Sequence, residues 1–175
     1  MTVDTQASVT NKAGGSPEGN DPDRGVQRDR QAWMSILAKA DSKALADKIG
    51  QLQNLPPYSV IRPAESGSVM VRGRAGGMGS PFNLGEMSVT RCVVQLIGSE
   101  DVAVIGHAYI AGRDKQHAER AALLDALLQT ERWAATVKDA VIAPLASAAT
   151  DAQRDRSGKV AATKVNFFTM VRGEN

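Results

Sequence analysis

Apolar residues recur at three- and four-residue intervals between Asp29 and Ala40, where Trp33, Ile36, Leu37 and Ala40 fall on one helical face. Ser42 follows as the expected cap of a second helix, with Leu45, Ile49 and Leu52 as its apolar stripe, and Pro56-Pro57 ends it. The period then changes to two. Tyr58 to Arg62 and Ser68 to Arg74 alternate apolar with polar residues and read as two strands joined by a turn at Glu65-Ser66-Gly67-Ser68. Phe82 to Ile97 reads as a longer strand. Gly98-Ser99-Glu100-Asp101 reads as a hairpin turn, and Val102 to Ala111 as the returning strand.

Helical spacing resumes after Gly112. Asp114 is placed to cap a helix whose stripe is Ala118, Ala121, Leu124, Leu127 and Leu128. A further helix is expected from Glu131 to Ile142, stopping near Pro144, and an Ala-rich polar one from Ala146 to Lys164, weakened by Gly158. No internal repeat is present. Helices, a block of strands and helices again predict an α+β domain: an antiparallel four-stranded sheet flanked by N-terminal and C-terminal helices. Residues 1–27 are polar and small, cannot bury enough apolar surface to offset chain entropy, and are expected to form a disordered arm before a single domain over 28–175.

Composition narrows the function more than the fold. Aromatics are only 4% of the chain, so the core must rest on Ala, Val, Leu and Ile, which bury less area each and leave room for a partner to complete burial. The net charge of +2 comes from basic residues interleaved with acidic ones, unlike the concentrated basic face of a nucleic-acid binder, so no nucleic-acid partner is expected. The single cysteine, Cys92, excludes an internal disulfide and suits a reducing compartment as a buried thiol. With no long apolar run and no apolar leader, the expected location is cytoplasmic, away from the membrane.

Three stretches hold candidate chemistry. Gly112-Arg113-Asp114-Lys115-Gln116-His117-Ala118-Glu119-Arg120 lies where a strand passes into a helix, where free N–H groups and the helix dipole suit an anion. There Arg113, Lys115 and His117 are the candidate phosphate-binding residues. The alternative is a well-capped surface helix, with Asp114 as cap and Lys115 pairing with Glu119. The glycine-rich Arg74-Ala75-Gly76-Gly77-Met78-Gly79-Ser80 lacks the Lys-Ser/Thr ending and the following helix of a P-loop, and reads as a hairpin loop. The C-terminal Phe167, Phe168, Met170 and Arg172 belong to an apolar tail that must be buried, under the chain's own sheet or against a partner. No nucleophile–base set and no metal-ligand spacing occurs, so neither catalytic nor metal-binding residues are assigned.

Taken together, Trp33-Met34-Ser35-Ile36-Leu37-Ala38, the segment Gly112 to Arg120, and Phe167-Phe168-Thr169-Met170-Val171-Arg172-Gly173 resemble the PhnG family, the G subunit of the carbon–phosphorus lyase core complex. Arg74-x-Gly76-Gly77-x-Gly79, Thr90-Arg91 and Ala143-Pro144-Leu145 follow in matching order, and the likeness runs from about Arg28 to Asn175. The segment before Arg28 departs from the short family N-terminus.

The resemblance implies a subunit role in phosphonate catabolism. With the H and I subunits and the ABC-type L protein, the family's subunit helps transfer the ribose triphosphate moiety of ATP to methylphosphonate, with release of adenine. The J subunit later cleaves the C–P bond. ATP is then a substrate of the complex, no cofactor is bound by this chain alone, and no catalytic residue falls on it. A stand-alone phosphate- or nucleotide-binding module built on Gly112–Arg120 is the competing expectation.

Overall fold

A computed structural model describes residues 22–98 and 103–163. Helix α1 spans Pro22–Lys39, beginning earlier than the periodicity from Asp29 predicts, with Pro22 at a position where a missing N–H costs no helical bond. Helix α2 spans Ser42–Gly50. Its cap is Asp41 rather than Ser42: the Asp41 carboxylate accepts the Ala44 N–H at 2.9 Å. Residues 1–21, most of the expected arm, and the tail residues Phe167, Phe168, Met170 and Arg172 lie outside the described residues, as does the turn at Ser99-Glu100-Asp101.

Among the described residues the sheet has three strands, not the four expected. Strand β1 runs unbroken over Tyr58–Arg74, β2 over Pro81–Leu96 and β3 over Ile105–Ala111, in the antiparallel order β1-β2-β3. The expected turn at Glu65-Ser66-Gly67-Ser68 is a stretch of β1 paired with Ser88 to Arg91 of β2. Side chains hold it there: Glu65 takes an ion pair from Arg91 at 2.9 Å, and the Ser66 and Thr90 hydroxyls meet at 2.8 Å. Polar residues read as a turn are cross-strand partners. The ladder is irregular elsewhere: the register shifts on either side of Arg62, next to Pro63, which has no N–H for the ladder, and again between Val71 and Arg72.

Among the described residues, only one face of the sheet is covered. Thr90, Cys92, Val94 and Leu96 of β2 and Gly106, Ala108 and Ile110 of β3 alternate inward against α3, Lys115–Leu128, whose residues from Ala121 to Leu128 are all buried. The layers touch at backbone distance. A Cβ on Gly106 would fall 2.0 Å from the Ala122 carbonyl oxygen, so β3 accepts only glycine there. Trp33, Leu37 and Leu45 from the first two helices close the core.

Past α3 the chain is helical without a stop at Pro144. Helix α4, Glu131–Val137, runs through a π turn, Lys138–Ile142, into α5, Ala143–Ala162. The wider turn lets Pro144, which lacks an N–H, enter at the start of α5 without its ring striking a preceding carbonyl. Val137, Val141 and Leu145 bury along this run, but every described residue from Ser147 onward is exposed. The outer ends of β1 and β2 extend beyond β3 as a two-stranded arm with exposed apolar residues, among them Leu84 at 62% and Met78 at 93%.

Candidate functional site

The start of α3 is assembled from three directions. Gly112 turns the chain out of β3 at a φ of 100°, a conformation that favours glycine. Its N–H donates to the Ser88 carbonyl at 2.8 Å and its own carbonyl accepts from the Thr90 hydroxyl at 2.8 Å. Asp114 then caps the helix, one carboxylate oxygen accepting the His117 N–H at 2.9 Å and the other the Ser42 hydroxyl at 2.6 Å. The hydrogen bond from Ser42, followed by that from the His117 backbone, holds the Asp114 carboxyl below the usual carboxylate value.

The three sequence-predicted phosphate ligands therefore occupy different settings. Arg113 and Lys115 are exposed. His117 is only 5% exposed, and its Nε2 lies 2.8 Å from the Leu37 carbonyl, tying α3 to α1. Asp114 already places a carboxylate at the helix N-terminus, with the exposed Arg113 and Lys115 on either side of it in the chain. Lys115 makes no ion pair with Glu119 among the described residues. Glu119 instead accepts the Tyr58 hydroxyl at 2.9 Å. Partial burial, then this carboxylate, raises the Tyr58 pKa. Burial likewise raises the thiol of Cys92, held 3.4 Å from the Arg62 carbonyl and inert in this setting.

The glycine-rich loop is not part of this site. It forms a 3₁₀ turn, Ala75–Gly77, at the arm's tip, with Gly76 and Gly77 at positive φ and the Arg74 guanidinium closing onto the Gly79 carbonyl at 3.1 Å. Along β2, the tip is separated from Ser88 by roughly 20 Å at ~3.3 Å per residue. A cleft of about 50 Å³ beside α1, lined by Met34, Leu37, His107 and Tyr109 among others, is too small for a nucleotide, which needs several hundred Å³.

One polar cluster escaped the sequence reading. Asp125, wholly buried in the middle of α3, accepts from Arg30 at 2.7 Å, from the Trp33 indole N–H at 2.9 Å and from the His107 backbone N–H at 2.9 Å. Arg30 and Gln129 also reach the Ile105 carbonyl, at 3.4 and 2.9 Å. These side chains satisfy the outer edge of β3, where another strand would otherwise pair. The signal was available: a lone carboxylate in the run Ala121-Ala122-Leu123-Leu124-Asp125-Ala126-Leu127-Leu128, with Arg30 and Trp33 three residues apart on α1. The cluster is architectural, with every acceptor position engaged by the protein.

No group of three or more His, Cys, Asp or Glu residues among the described residues is placed to hold a metal ion, and His107 and His117 engage different partners. No described helix is long and apolar enough to cross a membrane.

Comparison with known proteins agrees over nearly the whole chain. Residues 28–173 match the family described as phosphonate metabolism protein PhnG. The chain is also similar to the alpha-D-ribose 1-methylphosphonate 5-triphosphate synthase subunit PhnG of Rhizobium meliloti (strain 1021), with 40% identity over 153 residues, covering 87% of this chain and 94% of the relative. The match takes in most of α1, the whole sheet and every following described helix, and the chain belongs to the PhnG family.

Proposed function

We propose that this chain is a subunit of a ribose 1-methylphosphonate 5-triphosphate synthase and acts within the complex rather than alone. The observation that carries this reading is the 40% identity, over 94% of its length, to a relative named as the PhnG subunit of that synthase. The protein's own architecture supports it. Among the described residues, a sheet covered on one face, an apolar two-stranded arm and an exposed α5 are surfaces that a partner would complete.

In this reading the partners are the H, I and J subunits of the carbon–phosphorus lyase core complex and the ABC-type L protein, in the cytoplasm. ATP is consumed by the assembly, this chain carries no cofactor of its own, and Arg113 and Lys115 contact a phosphate-bearing group once the complex is formed. The polar, exposed character of Arg113 and Lys115 supports that last point.

Affinity purification of the tagged chain from phosphate-starved cells tests the reading. The expected result is stoichiometric recovery of the H, I and J proteins, with methylphosphonate-dependent adenine release by the assembly together with L and none by the pure chain. Recovery of the chain alone, with tight binding of ATP by the isolated protein, would instead establish a stand-alone nucleotide-binding module.

A further inference from the structure

Among the described residues β3 ends the sheet, and its own sequence carries none of the features that keep an edge from pairing. Ile105-Gly106-His107-Ala108-Tyr109-Ile110-Ala111 contains no Asp, Glu, Lys, Arg or Pro, and its register against β2 runs without a bulge. A short, largely apolar strand without charge or proline has the composition that pairs readily with copies of itself.

The protection comes from two helices instead. The bonds from the Gly112 N–H to Ser88 and from the Leu96 N–H to the Val104 carbonyl turn the even positions of β3 toward β2, so its odd positions face outward. At the first two of these, side chains stand where a neighbouring strand's backbone would. The Gln129 amide and the Arg30 guanidinium donate to the Ile105 carbonyl, and the Asp125 carboxylate accepts the His107 N–H. Asp125 and the C-cap residue Gln129 lie one helical turn apart, and the backbone approach at Gly106 brings both within reach of the edge.

Stability alone does not account for this arrangement. A buried ion pair is often matched or exceeded in stability by apolar residues of similar volume, and α3 is otherwise apolar from Ala121 to Leu128. What the polar cluster adds here is an edge that no strand can enter without displacing a guanidinium, an amide and a carboxylate.

We propose that Arg30, Asp125 and Gln129 form an edge lock that keeps β3 from pairing with the β3 of a second copy. A second copy is the occupant to be excluded because the strand is uncharged: two antiparallel copies meet without repulsion, and every chain supplies one. The lock closes only when α1 is docked, since Arg30 belongs to that helix.

Sedimentation of full-length variants, with their fold checked by circular dichroism, tests the proposal. Arg30→Ala with Gln129→Ala should self-associate at a concentration at least about tenfold lower than the parent chain. His117→Ala is the control: it loosens α1 at the Leu37 carbonyl and leaves the Ile105 and His107 contacts in place, so it should not associate in this way. Adding Tyr109→Pro to the double variant removes an outward N–H of β3 without touching its bonds to β2, and should return association to the parent level. Gln129→Ala alone, at an exposed side chain, should shift association in the same direction and decides the matter if the double variant does not fold. Association no stronger than that of His117→Ala, or association that survives Tyr109→Pro, would overturn the proposal. None of these outcomes bears on recovery of the H, I and J proteins, so this inference and the proposed function fail separately.

Discussion

Trp33 donates its indole N–H to the buried carboxylate of Asp125 at 2.9 Å, joining α1 to the centre of α3 across a gap of 92 positions in the chain. The same carboxylate takes Arg30 and the His107 backbone, and Lys138 from the π turn lies 5.9 Å from the Trp33 ring centroid. One residue of α3 thus holds the first helix, the last strand's edge and, through Trp33, the C-terminal helical run.

Asp125→Ala is accordingly expected to cost about 3–5 kcal/mol, because it strands a guanidinium, an indole N–H and a backbone N–H with no acceptor. Trp33→Phe removes one donor and keeps most of the packing, and should cost about 1–3 kcal/mol. Urea midpoints followed by far-UV circular dichroism rank the two. A smaller loss for Asp125→Ala than for Trp33→Phe would show that the carboxylate is dispensable to the core.

Gly106→Ala should destabilise the chain by about 1–3 kcal/mol or more, the usual penalty for forcing volume into a packed interior. Pairing it with Ala126→Gly should not restore stability. That change removes a side-chain contact at 2.8 Å but leaves the Ala122 carbonyl oxygen at 2.0 Å. Full rescue in thermal melts would mean that α3 can move away from β3 and that the close approach is not imposed by backbone.

The residues first grouped as phosphate ligands should separate in a stability assay. His117→Ala leaves the buried Leu37 carbonyl without its partner and should cost about 1–3 kcal/mol in the free chain. Arg113→Ala with Lys115→Ala, both exposed, should stay within about 0.5 kcal/mol. In the assembled complex the double change should lower use of ATP or methylphosphonate at least tenfold without loss of subunits, as expected for charged hydrogen bonds of about 1.5–3 kcal/mol. Unchanged kinetics would leave α3's start as structure only.

Acid sensitivity should involve Asp114. Its folded-state pKa is lowered, so the stabilisation it gives is present above the unfolded value near 3.8 and disappears as pH falls through the lowered folded value. Ser42→Ala removes the largest cause and should move the carboxyl titration upward toward 3.8, read from its carboxyl carbon by NMR. No movement would show that the backbone bond from His117 alone holds the cap.

Much of this architecture was legible in the residues because local chemistry decided it. The Asp114 cap and the α3 stripe follow from capping and periodicity, whereas α2 stops at Gly50, before Leu52 and well short of Pro56-Pro57 that were expected to end it. The division of β1 was misread because Glu65 and Ser66 look like turn residues until Arg91 and Thr90 stand opposite them. Pro144 misled in the same way, since a π turn is invisible in hydrophobic spacing. His117 illustrates the limit for sites: its neighbours in sequence suggest an anion, while its imidazole is engaged by Leu37, 80 positions away. Such pairings depend on how helices dock, which no local pattern encodes.

The π turn at Lys138–Ile142 has a geometric consequence for everything after it. A helical residue advances the side-chain direction by about 100° around the axis, so the wider turn amounts to a fixed angular offset between α4 and α5. Val137 and Val141 set the phase on the buried side of that offset, and Leu145 is the last side chain to register it against the core. Beyond Leu145 the azimuth of every side chain of α5 is inherited from this one turn. Loss of a single residue there would swing the exposed helix around its axis while leaving the sheet and α3 as they are.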